Sequence, residues 1–91
     1  MAYRVIILPS GEADLASLDP AVRDRALKRL IWLGQNGESV IHHHLVSMPD
    51  DLAGLCRIRI GDYRLLYWVY PADKALKVYR VQHRREVYRG L

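Results

Sequence analysis

Between Leu55 and Gln82, three segments rich in strand-forming residues follow one another with only two short turns between them. This run constrains the fold more than any other feature of the chain. Leu55 to Ile60 alternates, so Cys56, Ile58 and Ile60 share one face while Arg57 and Arg59 share the other. Gly61-Asp62 makes a tight connection to Tyr63–Tyr70 (YRLLYWVY), and Pro71-Ala72-Asp73-Lys74 a second turn to Ala75–Gln82 (ALKVYRVQ). Strands joined by turns this short pair antiparallel, which gives a meander. Its apolar face needs a second layer to cover it.

The N-terminal half supplies that layer. Residues 3–8 (YRVIIL) read as a buried strand ended by Pro9-Ser10-Gly11. Ser10 is placed to cap a short helix running to about Leu18, with Ala13, Leu15, Ala16 and Leu18 as its apolar positions. Asp19-Pro20 signals a second helix start. From there Val22, Ala26, Leu27, Leu30, Ile31 and Leu33 form a stripe at helical spacing, with Arg23, Arg25, Lys28 and Arg29 mostly off it, and Gly34 suits a C-cap. Residues 37–54 show no period and read as a long loop, a length that in compact domains often serves a function. The first strand must pair somewhere to satisfy its backbone, and the place beside the last strand is open to it. The expectation is one α+β domain over residues 1–91: a helical hairpin on a four-stranded, mostly antiparallel sheet in β-α-α-β-β-β order. A short polar tail follows over residues 83–91.

Charge divides the chain. Residues 1–54 hold five Lys/Arg against seven Asp/Glu, whereas residues 55–91 hold nine against three. Nine cations cannot all be paired by three anions, so the C-terminal half carries a positive field suited to a polyanion such as nucleic acid. The single cysteine, Cys56, excludes an intrachain disulfide. The apolar run Val5 to Leu8 is far too short for a signal peptide or a membrane span. A soluble, cytoplasmic protein without a membrane role is expected.

The arginines are the first candidates for chemistry. Arg57 and Arg59 project side by side, Arg64 starts the next strand just across the turn, and Arg80, Arg84, Arg85 and Arg89 lie on or after the last strand. Guanidinium groups bind phosphate oxygens bidentately and stay charged at all working pH values. Such a cluster can dock an RNA backbone and stabilise charge building on a phosphorane-like transition state. The plain reading is a set of solvated arginines. Four tyrosines (Tyr63, Tyr67, Tyr70, Tyr79) fall in strands and read as packing, whereas Tyr88 lies among Arg84, Arg85 and Arg89 and is a candidate base toward a ribose 2′-OH. His83, next to Arg84, is a candidate for phosphate contact or proton transfer. His42-His43-His44 has no Cys or acidic cluster beside it to complete a tetrahedral set, so it reads as a loop packing on the sheet and no metal site is expected. No phosphate-cradling glycine loop, zinc-binding histidine pair or Ser/His/Asp arrangement stands out.

The stretch LAGLCRIRIGDYRLLYWVY followed by VYRVQHRREVY resembles the RelE/ParE superfamily of bacterial toxin–antitoxin toxins. Gly61-Asp62-Tyr63-Arg64, His83-Arg84 and Val87-Tyr88 carry the resemblance, which spans nearly the whole chain. The resemblance implies a metal- and cofactor-independent endoribonuclease that enters the ribosomal A site and cuts messenger RNA by 2′-OH attack. It implies that Arg64 stabilises the phosphate charge, Arg84 protonates or neutralises the leaving 5′-oxygen, and Tyr88 acts as general base. Arg57 and Arg59 stand where the founding member has two phosphate-gripping lysines, and His83 and Arg85 are expected to contact RNA. A cognate antitoxin that wraps the toxin in a hetero-oligomer is implied as well. Two alternatives stand beside this reading: a ParE-like gyrase inhibitor on the same fold, and an inactive RNA- or antitoxin-binding module.

Overall fold

The computed structural model describes residues 2–89. β1 (Arg4–Ile7) leads into α1 (Pro9–Ser17) and α2 (Pro20–Gln35). Then come β2 (His43–His44), β3 (Cys56–Ile60), β4 (Tyr63–Tyr70) and β5 (Ala75–His83). The sheet has the order β1-β5-β4-β3-β2 and is antiparallel except where β1 runs parallel to β5. The meander, the helical hairpin and the place of β1 beside the last strand are as the sequence implies. The sheet has five strands where four were expected. The extra one, β2, pairs His43 with Arg57 and His44 with Cys56, and two residues are too few to show an alternating pattern. No helix among the described residues is long and apolar enough to cross a membrane.

The buried sides of both helices pack on one sheet face, whereas Ala13, Ala16, Leu27 and Ile31, expected on the apolar stripes, are exposed because the sheet covers a narrower strip of each helix. Leu15, Leu18, Ala26, Leu30 and Leu33 meet Cys56, Ile60, Leu65, Tyr67, Leu76, Val78 and Val81 in one buried cluster. Gly34 lies inside α2 rather than at its cap, because the helix runs on to Gln35. A Cβ there would fall 2.9 Å from a Val5 methyl, so α2 crosses β1 closely only because this residue is glycine. Arg23, off the stripe, ties the hairpin together: its guanidinium donates to the carbonyls of Leu15, Ala16 and Leu18 at 2.9, 3.0 and 2.9 Å. The Leu15 carbonyl also accepts from the Leu18 amide at 3.3 Å, whereas those of Ala16 and Leu18 lie past the last helical bond of α1, and a cation there also complements the helix dipole.

α1 starts at Pro9 with Leu8 at the N-cap position, so Ser10 does not cap it. Ser10 is part of a different device. β1 is paired with β5 only as far as Val78, which leaves the following stretch of β5 with a free edge. α1 closes that edge from the side. The Ser10 hydroxyl donates to the Tyr79 carbonyl at 2.6 Å. The Asp14 carboxylate accepts from the Val81 amide at 3.0 Å and from the Arg80 guanidinium at 2.8 and 3.2 Å. Asp14 is buried, and this network satisfies it. Arg80 is thereby withdrawn from the free basic field.

The opposite sheet face carries a smaller buried cluster of Leu55, Leu66 and Val87, with Leu45, Met48, Trp68 and Tyr79 against it. Trp68 Nε1 donates to the Ala53 carbonyl at 3.0 Å, which fastens the end of the 37–54 loop. The start of that loop is fastened by His42. Its Nε2 is 2.8 Å from the Gly37 carbonyl and its Nδ1 is 2.7 Å from the Tyr67 hydroxyl. A carbonyl only accepts, so Nε2 carries the proton and Nδ1 accepts from the tyrosine. The histidine triplet thus contributes a loop anchor. Among the described residues no group of three or more His, Cys, Asp or Glu is placed to hold a metal ion.

Candidate nucleic-acid interface

Because Cys56, Ile58 and Ile60 point into the helix-side core, Arg57 and Arg59 project from the other face. Leu65 and Tyr67 are likewise helix-side, so Arg64 joins the two arginines. The register places Arg59 directly opposite Arg64, and Gln82 of β5 lies on the far side of Arg64. Arg57 stands opposite Leu66. Among the described residues, the side chains of Arg57 and Arg59 make no hydrogen bond and no ion pair. The face is therefore a set of cations without counter-charges, bordered by the apolar patch around Leu66.

The Gly61–Asp62 turn holds the remaining arginines. Gly61 has φ +59, a conformation that glycine adopts without strain. Arg64 Nη1 donates to the carbonyls of Gly61 and Tyr63, both at 2.9 Å, which leaves its other N–H groups free. The Arg84 amide donates to the Asp62 carbonyl at 2.7 Å. Its guanidinium Nε lies 3.9 Å from the Asp62 carboxylate, a loose and exposed pairing. One turn thus positions two of the three residues expected to be catalytic.

The third, Tyr88, is placed by its neighbour. After β5 the chain makes turns in which the amides of Glu86 and Val87 donate to the His83 carbonyl at 2.8 and 3.0 Å. Val87 is then buried against Leu55 and Leu66 on the arginine-bearing face. Tyr88 itself is exposed, and its phenol makes no hydrogen bond among the described residues. The tail expected to be polar is therefore anchored by one apolar residue. Of the expected tail, Gly90 and Leu91 lie outside the described residues.

Two expected RNA contacts are placed differently. His83 pairs with Tyr63 in the ladder and packs edge-on to its ring, with centroids 5.4 Å apart at 82°. That is the helix side of the sheet, because Tyr63 packs on the helix-side core, so His83 is not brought together with Arg57, Arg59 and Arg64. Its Nδ1 accepts from the Arg85 amide at 3.2 Å. Arg85 is exposed in the same turn, with a free guanidinium. Two buried groups lie beneath the interface. Burial pushes the Cys56 thiol up to about 11, and burial together with the neighbouring Cys56 raises Tyr67 further. Neither is a nucleophile or base at neutral pH.

The sequence reading missed Asp14 and Arg23 as organising residues, and read His42 only as part of a loop packing on the sheet. For Asp14 a signal existed: Ser10 and Asp14 lie four apart, on one side of a helix whose next residues inward are Leu15 and Leu18.

A two-helix hairpin on a five-stranded sheet is the fold of the RelE/ParE superfamily. Residues 5–88 match the family described as ParE toxin of the type II toxin–antitoxin system, parDE, and the chain belongs to that family. Among solved structures it is similar to the RelBE2 toxin–antitoxin complex from Mycobacterium tuberculosis. That match has 26% identity over 94% of this chain and 95% of the other, with a TM-score of 0.77. The archaeal RelE–RelB complex from Pyrococcus horikoshii matches at 30% identity over 96% and 100%, with a TM-score of 0.71. The isolated E. coli RelE toxin shares the fold at 22% identity over 90% and 84%, with a TM-score of 0.70. No curated protein matches the chain significantly.

Proposed function

We propose that this toxin is a metal-independent endoribonuclease that cuts messenger RNA in the ribosomal A site and so inhibits translation. The observation that carries the reading is the set Arg57, Arg59 and Arg64, gathered without counter-anions on the open sheet face to which Val87 fastens the tail. Arg57 and Arg59 grip the phosphates flanking the scissile bond. Tyr88 takes the proton from the ribose 2′-OH, and the 2′-oxygen attacks phosphorus. Arg64 stabilises the charge on the non-bridging oxygens, in the way preorganised donors do in other acyl and phosphoryl transfers. The P–O5′ bond breaks, and Arg84 neutralises or protonates the leaving oxygen. The products are a 2′,3′-cyclic phosphate and a 5′-hydroxyl. Arg85, exposed beside Arg84, adds a contact to the RNA backbone.

A cognate antitoxin is the proposed partner, since the similar structures from M. tuberculosis and P. horikoshii are toxin–antitoxin complexes. In a hetero-oligomer it would shield the open face until released. A second reading, gyrase inhibition, is favoured by one observation, the parDE description of the matching family. Mapping messenger 5′ ends in a translating extract separates the two. Cuts within codons that disappear with Arg64→Ala or Arg84→Ala support the nuclease. Intact message together with inhibited DNA supercoiling replaces it with the gyrase reading.

A further inference from the structure

The basic field does not stop at the open face. β2 covers only two residues of β3, so among the described residues the edge of β3 from Ile58 to Ile60 has no strand beside it. α2 packs against β3 at this edge, and there Arg29, His43, Arg57, Ile58 and Arg59 line a groove of about 380 Å³. One helical turn away, the Arg25 guanidinium approaches Gly61 closely: a Cβ on that glycine would lie 3.4 Å from Arg25 Nη2. Arg25, Arg29 and Trp32 are spaced at i, i+4 and i+7, one stripe of α2. The Arg29 guanidinium sits 4.3 Å from the centroid of the Trp32 ring, which pre-positions it without neutralising it. Apart from that ring contact, the side chains of Arg25, Arg29, Arg57 and Arg59 have no hydrogen bond or ion pair among the described residues. By contrast, Lys28 on the same helix is paired with Asp24 at 3.0 Å.

From this wrap-around arrangement we infer a second phosphate-binding subsite, in which Arg25 and Arg29 continue the Arg57–Arg59 surface round the β3 edge and hold the backbone of the same bound RNA outside the cleavage site. The ligand chemistry is a single-stranded sugar–phosphate chain. Guanidinium groups about one helical turn apart can reach successive phosphates, and Trp32 offers a face for a base to stack on. Three arginines lining one groove, with Arg25 a helical turn away, are otherwise unfavourable, and an anion entering it relieves the repulsion. An alternative role for the charges, keeping the bare β3 edge from pairing with another chain, needs no RNA.

The inference rests on the RNA-directed reading of the open face, and the experiment separates the two. Binding of a fluorescein-labelled single-stranded RNA 12-mer is measured by anisotropy over a salt series for the purified toxin and for Arg25→Gln/Arg29→Gln. Glutamine keeps the helix propensity of α2. Losing two phosphate contacts lowers the salt slope by about 1.4 and the affinity at physiological salt by roughly tenfold. A control with the same loss of charge, Arg4→Gln/Lys74→Asn on the far β1 side, leaves the slope at the wild-type value. An unchanged slope in the Arg25/Arg29 variant, an equal fall in the control, or no binding of RNA by the wild type each overturns the subsite. If the wild type binds RNA with the expected slope but cuts no message in the extract, the cleavage reading fails and the subsite stands.

Discussion

Arg59 and Arg64 face each other directly across the β3–β4 ladder, and no carboxylate lies between them. A like-charge pair in that position opposes folding by up to about 1 kcal/mol. The two members are not equivalent, because Arg64 is also hydrogen-bonded to the Gly61 and Tyr63 carbonyls, whereas the Arg59 side chain makes no hydrogen bond among the described residues. Arg59→Thr should therefore stabilise the protein by about 0.5 kcal/mol, since threonine also suits a strand. Arg64→Thr should not, because it gives up the bonds to the turn. Both should weaken RNA binding, and Arg64→Thr should lower cleavage by about 10²–10³-fold. Urea denaturation beside a cleavage assay checks the pair. If Arg59→Thr proves destabilising, the repulsion argument is wrong.

Asp14 is the residue on which the free edge of β5 depends. Asp14→Ala leaves the Val81 amide without its acceptor and the Arg80 guanidinium without its partner. The expected cost is about 2–3 kcal/mol, the range for removing a charged partner of a poorly solvated network. Asp14→Asn keeps one acceptor oxygen and should cost about half as much. In Arg80→Ala/Asp14→Ala the loss should be smaller than the sum of the single changes, because only the first removal breaks the pair. Additive losses in urea midpoints would show that the two do not act together.

The regular elements of this fold could be read from the chain, because each carried a period. The alternation at Cys56, Ile58 and Ile60 reports directly which side is buried, and the helical spacing picks out Ala26, Leu30 and Leu33 while also taking in Leu27 and Ile31, which are exposed. The same alternation gives the side of the sheet from which Arg57 and Arg59 project, whereas Arg64 is placed on that side only by the strand register. What could not be read was produced by single side chains acting across elements. A two-residue strand at His43–His44 has no period. Asp14 and Arg23 are charges on helices, and which groups they bind is set only by the approach of a strand edge or a helix end. His83 sits beside Arg84 in sequence, but alternation turns it to the helix side, and the residue's titration chemistry says nothing about direction. Val87, one apolar residue in a charged tail, was the visible sign that the tail is fastened, and its weight became clear only with Leu55 and Leu66 beneath it.

That fastening can be separated from the chemistry attributed to Tyr88. Val87→Ala removes buried methyl groups from the Leu55–Leu66 cluster and should cost about 1–2 kcal/mol. It should also loosen the turn that carries Tyr88, so cleavage falls more than the folded fraction does. Tyr88→Phe keeps the exposed ring and should leave stability within about 0.5 kcal/mol. It removes the proposed base, and cleavage should fall by about 10²–10⁴-fold. Full cleavage by Tyr88→Phe would take Tyr88 out of the mechanism while leaving the anchoring role of Val87 intact.

The buried Cys56–Tyr67 pair makes stability depend on alkaline pH. Burial raises the Cys56 thiol from its ordinary 9.0 to about 11, and Tyr67 is raised from its ordinary 10.0 by burial and by Cys56. Both groups hold their protons more tightly folded than unfolded. Their contribution is therefore complete below pH 9 and is lost as pH rises, because the unfolded chain ionises first. Between pH 9 and 10 the thiol dominates, and about 2 kcal/mol of its contribution is lost by pH 11. Above pH 10 the tyrosine of the unfolded chain ionises as well and steepens the decline, while the folded protein keeps the Tyr67 hydroxyl that donates to His42. Urea midpoints measured from pH 7 to 11 should be level to about pH 9 and then fall. Cys56→Ala should be less stable at neutral pH but should delay the fall by about one unit, leaving the tyrosine limb. A wild-type profile that stays level to pH 10.5, or an identical fall in Cys56→Ala, would mean that Cys56 is not held protonated by the fold.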